Sequence, residues 1–93
     1  MTVVDNTAAR RFEVSADGHS GRLVYELTGD RLVLTHTYVP DAVRGSGIGG
    51  RLVVAAVESA IARGLTVVPA CSFARWWLLN HPEVAGRANI DWS

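Results

Sequence analysis

The sequence contains no lysine: all nine basic residues are arginine, balanced by nine acidic ones, so the formal net charge is zero. A neutral chain feels no global pull toward nucleic acid or an acidic membrane surface. Arg10 and Arg11 make a basic pair, too little for a nucleic-acid footprint. The single cysteine, Cys71, excludes an internal disulfide and suits a reducing compartment. No apolar run approaches the length of a membrane span. The opening "MTVVDNTAARRF" has no apolar core long enough for a secretory leader. Linkers, repeats and low-complexity stretches are missing too. The expectation is a cytoplasmic protein that contacts neither nucleic acid nor membrane and holds no metal.

What is present suits one domain. The 93 residues are 48% hydrophobic and 19% charged, enough apolar material for a single core. Residues 1–9 read as a loose end, and 10–93 as one domain. "RRFEVSA" (10–16) predicts a strand, and "DGHSG" (17–21) a turn that includes His19. "RLVYELT" (22–28) and "RLVLTHTYV" (31–39) alternate around a tight "GD" turn and predict an antiparallel hairpin. Simple alternation puts Leu32, Leu34, His36 and Tyr38 on one face of the second strand. Pro40 ends it. From Gly47 to Arg63 the apolar period becomes helical, and Gly64 supplies a stop. "LTVVPACS" (65–72) reads as a buried strand and "FARWWLLNH" (73–81) as a helix limited by Pro82; the tail has no assignment beyond a short strand or a loop. The fold class is α/β (α+β): a mixed sheet with an antiparallel hairpin, a parallel β-α-β unit and a second helix. Ligands of such sheets sit beyond the carboxyl ends of parallel strands.

The segment "VRGSGIGGRLV" (43–53) lies at that place. Gly45, Gly47 and Gly50 spell the G-x-G-x-x-G of a dinucleotide fold. Yet five residues separate the strand from Gly45, and no acid for a ribose stands near position 70. A P-loop is excluded because no lysine follows the glycines. What remains is a helix start with unpaired N–H groups, a partial positive charge and no acid until Glu58, flanked by Arg44 and Arg51. That is an anion site for a phosphate. The plainer alternative is a glycine turn that lets strand and helix pack closely.

"RGSGIGGRL", after a strand ending in "HTYVP", resembles the acyl-CoA signature of the GNAT superfamily of N-acetyltransferases. That signature is Arg or Gln, two residues, Gly, one residue, Gly or Ala; Arg44, Gly47 and Gly49 fill it. Residues 11–83, with "VVPACSF" and "NHPE", are similar to a small branch of single-domain GNAT proteins that are little more than the CoA-binding core. The resemblance implies a minimal GNAT-like core with splayed parallel strands, acetyl-CoA as cofactor and transfer of an acetyl group to an amine. It implies a pyrophosphate on the backbone of Arg44, Gly45, Ser46, Gly47, Ile48, Gly49 and Gly50, with Arg51 beside them. The pantetheine arm would pair with backbone near Tyr38 and Val39, and the thioester would lie near His36, Cys71 and Ser72. Asn80 and His81 would reach the CoA arm or simply finish the helix.

His36 is the candidate general base, since imidazole titrates near neutrality; the plain alternative is a buried core histidine. Cys71 is a candidate nucleophile or acid, its alternative a small buried hydrophobe. Many GNAT enzymes carry a tyrosine acid on the helix after the last splayed strand. Here that helix carries Trp76 and Trp77, which read as core or interface residues, and an indole is no acid at neutral pH. The acceptor-site helices of larger GNAT proteins are also missing. The acceptor site is therefore expected to be open, or completed by a partner subunit; an open site suits a protein or peptide amine, or a polyamine. A non-catalytic CoA- or acetyl-CoA-binding module, or a subunit of a larger assembly, is the competing expectation. The state expected is a monomer or a weak homo-oligomer.

Overall fold

Short alternating runs joined by two-residue turns make antiparallel strands, and the chain begins with four of them. The computed structural model describes residues 2–93. Its strands are β1 (Val4–Asn6), β2 (Arg11–Ala16), β3 (His19–Thr28), β4 (Arg31–Tyr38) and β5 (Thr66–Pro69), and they lie side by side in that order. The first four are antiparallel; β4 and β5 are parallel. The crossover between the parallel pair is α1 (Ile48–Arg63). Two shorter helices follow β5, α2 (Ser72–Leu79) and α3 (Pro82–Ala85). This is the mixed sheet with an antiparallel hairpin and one parallel β-α-β unit that the sequence predicts.

One face of the sheet carries the core. Phe12, Val14, Leu23, Tyr25, Leu32, Leu34 and Val67 point to it and are all but inaccessible to water. Leu52, Val53, Ala56, Val57 and Ala60 of α1 and Leu78 of α2 close over them. Each fully buried Leu or Val contributes roughly 1.5–3 kcal/mol. Gly21 on β3 lies under α1, where an added Cβ would come within 2.8 Å of Ile48. The opposite face of the sheet is uncovered, and none of its described residues is buried.

The structure departs from expectation in four places. The loose end over residues 1–9 instead supplies the edge strand β1, because Asp5 accepts a 2.6 Å hydrogen bond from the buried Tyr25 hydroxyl. Met1 lies outside the described residues. The turn at 17–21 shrinks to Asp17 and Gly18, which puts His19 in β3 opposite Ala16. The tail begins with the helix α3, where a short strand or a loop was expected; only beyond it does the chain pair, Val67 receiving a backbone bond from Asp91 (2.8 Å) and giving one to Asn89 (2.9 Å).

The fourth departure decides the site. Simple alternation sets His36 and Tyr38 beside Leu32 and Leu34. In the structure Val24 faces His36 while the next residue, Tyr25, faces Leu34, so Thr35 is an extra residue in β4. Such a bulge reverses which side later residues take. Leu32 and Leu34 remain in the core, Thr37 joins their side opposite Leu23, and His36 and Tyr38 turn to the uncovered face. His36 is therefore exposed and not a core histidine.

Burial and the bond to Asp5 push the Tyr25 phenol up to about 12. A phenol ionises near 10 in an unfolded chain, so the neutral form stabilises the fold fully below that pH. Stability is expected to fall by on the order of 2 kcal/mol as pH rises from about 10 to about 12. Melts recorded across that range should show the loss in the wild type and a much weaker one in Tyr25→Phe.

Candidate functional site

β4 outruns its parallel neighbour. The last residue paired to β5 is Leu34, opposite Pro69, and β4 continues to Tyr38. Ala70, the next residue whose N–H would face β4, turns that N–H back to the Val68 carbonyl at 3.0 Å. Beyond it Cys71 gives its own N–H to the Leu34 carbonyl at 2.8 Å, and the chain turns into α2. The parallel strands therefore part at Leu34, leaving the β5-facing edge of β4 without a strand partner from Thr35 onward. Cys71 sits at the point of the wedge. It is 8% exposed, and its Sγ lies 3.2 Å from the Thr37 hydroxyl.

The mouth of the wedge is a cleft of about 530 Å³. One wall comes from β4 and the glycine loop: Thr37, Val39, Arg44, Gly45, Gly47, Ile48, Gly49 and Gly50. The other is aromatic: Phe73, Trp76, Trp77 and His81. Gly47 caps α1 with φ 87°, no acid occupies the first turn, and no backbone carbonyl among the described residues receives the N–H groups of Gly47, Ile48, Gly49 or Gly50. The Arg44 guanidinium pairs with Asp41 at 2.9 Å on the open surface, a contact of little energetic weight.

The four glycines divide into two jobs. Gly45 and Gly47 have φ of 92° and 87° and face open space, so their role is backbone conformation. Gly49 and Gly50 lie under α2: an added Cβ would come within 2.6 Å of Phe73 and 2.7 Å of the Trp77 indole. The plainer reading, close packing, thus describes Gly49 and Gly50, although it is a helix and not a strand that approaches. Their N–H groups remain free all the same.

Other expected residues are distributed less neatly. Arg51 lines an adjoining groove together with Thr2, Val3 and Glu58. The Ser46 hydroxyl is bound to the Val43 carbonyl at 2.5 Å. Ser72 is exposed at the start of α2 and does not line the cleft. Asn80 also stays outside it, its amide donating to the Trp76 carbonyl at 2.8 Å to finish α2. The Tyr38 ring lies on the outer face under the Arg22 guanidinium, 4.7 Å away. His36 shares that face and is not brought to Cys71, whose neighbour is Thr37. His81 does reach the cleft, stacked on Trp77 with ring centroids 3.7 Å apart.

Thr37 and the aromatic wall are what sequence reasoning missed. Phe73, Trp76 and Trp77 stand three and four residues apart, so the spacing places them on one side of a helix. No group of three or more potential metal ligands occurs among the described residues, and no helix there is long and apolar enough to cross a membrane.

Residues 11–86 match the family described as GCN5-related N-acetyl-transferase. The chain belongs to that family. The mouse (Mus musculus) and chicken (Gallus gallus) proteins named Protein NATD1 are each 37% identical to it over 76 residues, covering 78% of this chain and 69% of their own length. The human (Homo sapiens) Protein NATD1 is also 37% identical, with 67% of its length covered. The parallel pair and the crossover helix are consistent with a minimal core of the GCN5-related family.

The division among the glycines is testable. Gly50→Ala should overpack the α1–α2 contact and cost roughly 1–3 kcal/mol, with a changed tryptophan fluorescence as Trp77 shifts. Gly47→Ala, strained only in its own backbone, should lower the melting temperature without altering that fluorescence.

Proposed function

We propose that this chain is an acetyl-CoA-dependent N-acetyltransferase acting on an accessible amine of a protein, a peptide or a polyamine. The observation that carries this is the wedge itself. Free N–H groups at a helix start and an unpartnered strand edge line one cleft, and Thr37 of that edge touches the cysteine at the vertex. These are the features a long ligand with phosphates at one end and amides along its arm requires.

Bound acetyl-CoA would supply an acetyl group already activated as a thioester. The N–H groups of Gly47, Ile48, Gly49 and Gly50 hold its phosphates, with the Arg44 guanidinium beside them. The edge of β4 from Thr35 to Val39 pairs with the amides of its arm. Thr37 orients the Cys71 Sγ, which gives its proton to the departing thiolate and regains one from solvent. His36 stands on the other side of β4, so it serves a different proton. A ring nitrogen there takes the proton from an amine that arrives over the uncovered face of the sheet. The open face suits an acceptor that is itself part of a larger molecule. A cytoplasmic location and a monomer or weak homo-oligomer complete the proposal.

A second reading, a CoA-binding module without turnover, is favoured by one observation: α2 presents Trp76 and Trp77 to the cleft, and neither is an acid.

Acetyl-CoA at about a hundred times its dissociation constant should add roughly 2.7 kcal/mol of stability and raise the melting temperature by roughly 10 °C, while NADH should not. With an amine panel, His36→Asn and Cys71→Ala should each lower CoA release about a hundred-fold or more while keeping the acetyl-CoA shift. Full turnover in both variants would overturn these roles, and a shift without turnover in the wild type would favour the module.

A further inference from the structure

Trp76 is the one large aromatic of α2 without a structural task. The buried residues of α2 are Ala74 and Leu78. Trp77 is wedged against Gly50 and stacked on His81. The Trp76 ring is 57% exposed, tilted beside Phe73 with centroids 6.0 Å apart, and it forms part of the cleft wall. Its side chain makes no hydrogen bond among the described residues, while its backbone carbonyl accepts from the Asn80 amide.

The cleft therefore has two chemically distinct halves. One offers unpaired N–H groups and the Arg44 cation, which suit an anion. The other offers flat apolar rings, which suit a flat heteroaromatic group. A volume of about 530 Å³ admits a molecule that joins the two. We infer that Trp76 is the stacking platform for the purine ring of a nucleotide-bearing ligand whose phosphates sit at the start of α1. This deepens the acetyl-CoA reading and rests on it: the phosphates and the purine would belong to CoA, and Trp76 would grip the end of the molecule remote from the thioester. A free adenine nucleotide shares that chemistry, so the experiment includes one.

Affinities for CoA, 3′,5′-ADP, NADH and phosphopantetheine are measured by calorimetry, and tryptophan quenching by fluorescence, on the wild type, Trp76→Ala and Trp76→Phe. Circular dichroism verifies that each variant is folded. CoA and 3′,5′-ADP should quench the wild type. Trp76→Ala should lose most of that quenching and bind both roughly ten-fold more weakly, whereas Trp76→Phe, which keeps a ring for stacking, should restore most of the affinity. Phosphopantetheine, which has no purine, should bind wild type and Trp76→Ala alike. Equal affinity of wild type and Trp76→Ala for CoA would overturn the platform and leave the acetyl-CoA reading standing. Binding of 3′,5′-ADP or NADH in a Trp76-dependent manner, without binding of CoA, would keep the platform and overturn the acetyl-CoA reading. A wild type that binds none of them would overturn both.

Discussion

The turn of the chain away from β4 at Ala70 is the constraint on which the rest of the site depends. A parallel ladder that ran the full length of β4 would leave no edge and no wedge. The N–H of Ala70, the next that would face β4, bends back to the Val68 carbonyl at 3.0 Å, so pairing stops opposite Leu34. The N–H that next reaches β4 comes from Cys71, and it closes the vertex instead of extending the strand. The bulge at Thr35 acts in the same few residues. It turns Thr37 toward the helices, within reach of Cys71, and His36 away from them. A diverted donor and one extra residue thereby create an open strand edge and a cysteine–threonine contact.

Much of the architecture was legible because each signal rested on local physics. The hairpin of β3 and β4 follows from alternation around a two-residue turn, and α1 from a 3.6-residue apolar period closed by Gly64, which adopts φ 67°. Membership in the GCN5-related family was likewise legible, in the joint spacing of the glycine loop, Cys71 and the His81-Pro82-Glu83 run along one short chain. What stayed hidden required tertiary information. The run Leu32, Leu34, His36, Tyr38 alternates without a break, and nothing in it marks Thr35 as an extra residue. That mark is set by pairing with β3, eleven residues away for the bond from the Thr35 hydroxyl to the Val24 carbonyl. Strand β1 was hidden for a similar reason: three residues carry too little pattern, and Tyr25 is what holds them.

The glycine loop shows how one sequence motif serves two physical ends. A glycine is selected either because its φ is forbidden to other residues or because a side chain would collide with a neighbour. Gly45 and Gly47 belong to the first kind and Gly49 and Gly50 to the second. The two kinds cooperate. Close approach of α2 to α1 brings Trp76, Trp77 and His81 to the same cleft that the free N–H groups line. Packing glycines thus build the aromatic wall, while conformational glycines shape the end of the cleft that presents free N–H groups.

The sidedness of β4 constrains the chemistry more tightly than the identity of any one residue. Cys71 and Thr37 lie on the helix side of the strand, within the wedge; His36 lies on the bare side. A reaction that uses both must bring its two reactants to opposite faces and let them meet where the strands part. A single small acceptor enclosed on the helix side would have no need of His36. An acceptor too large to enter the wedge would need a broad, uncovered surface that ends in a proton-accepting group, and the outer face of this sheet has that form. The two-layer construction, with helices on one side only, is therefore what leaves the His36 face of β4 open to the acceptor in the proposed reaction.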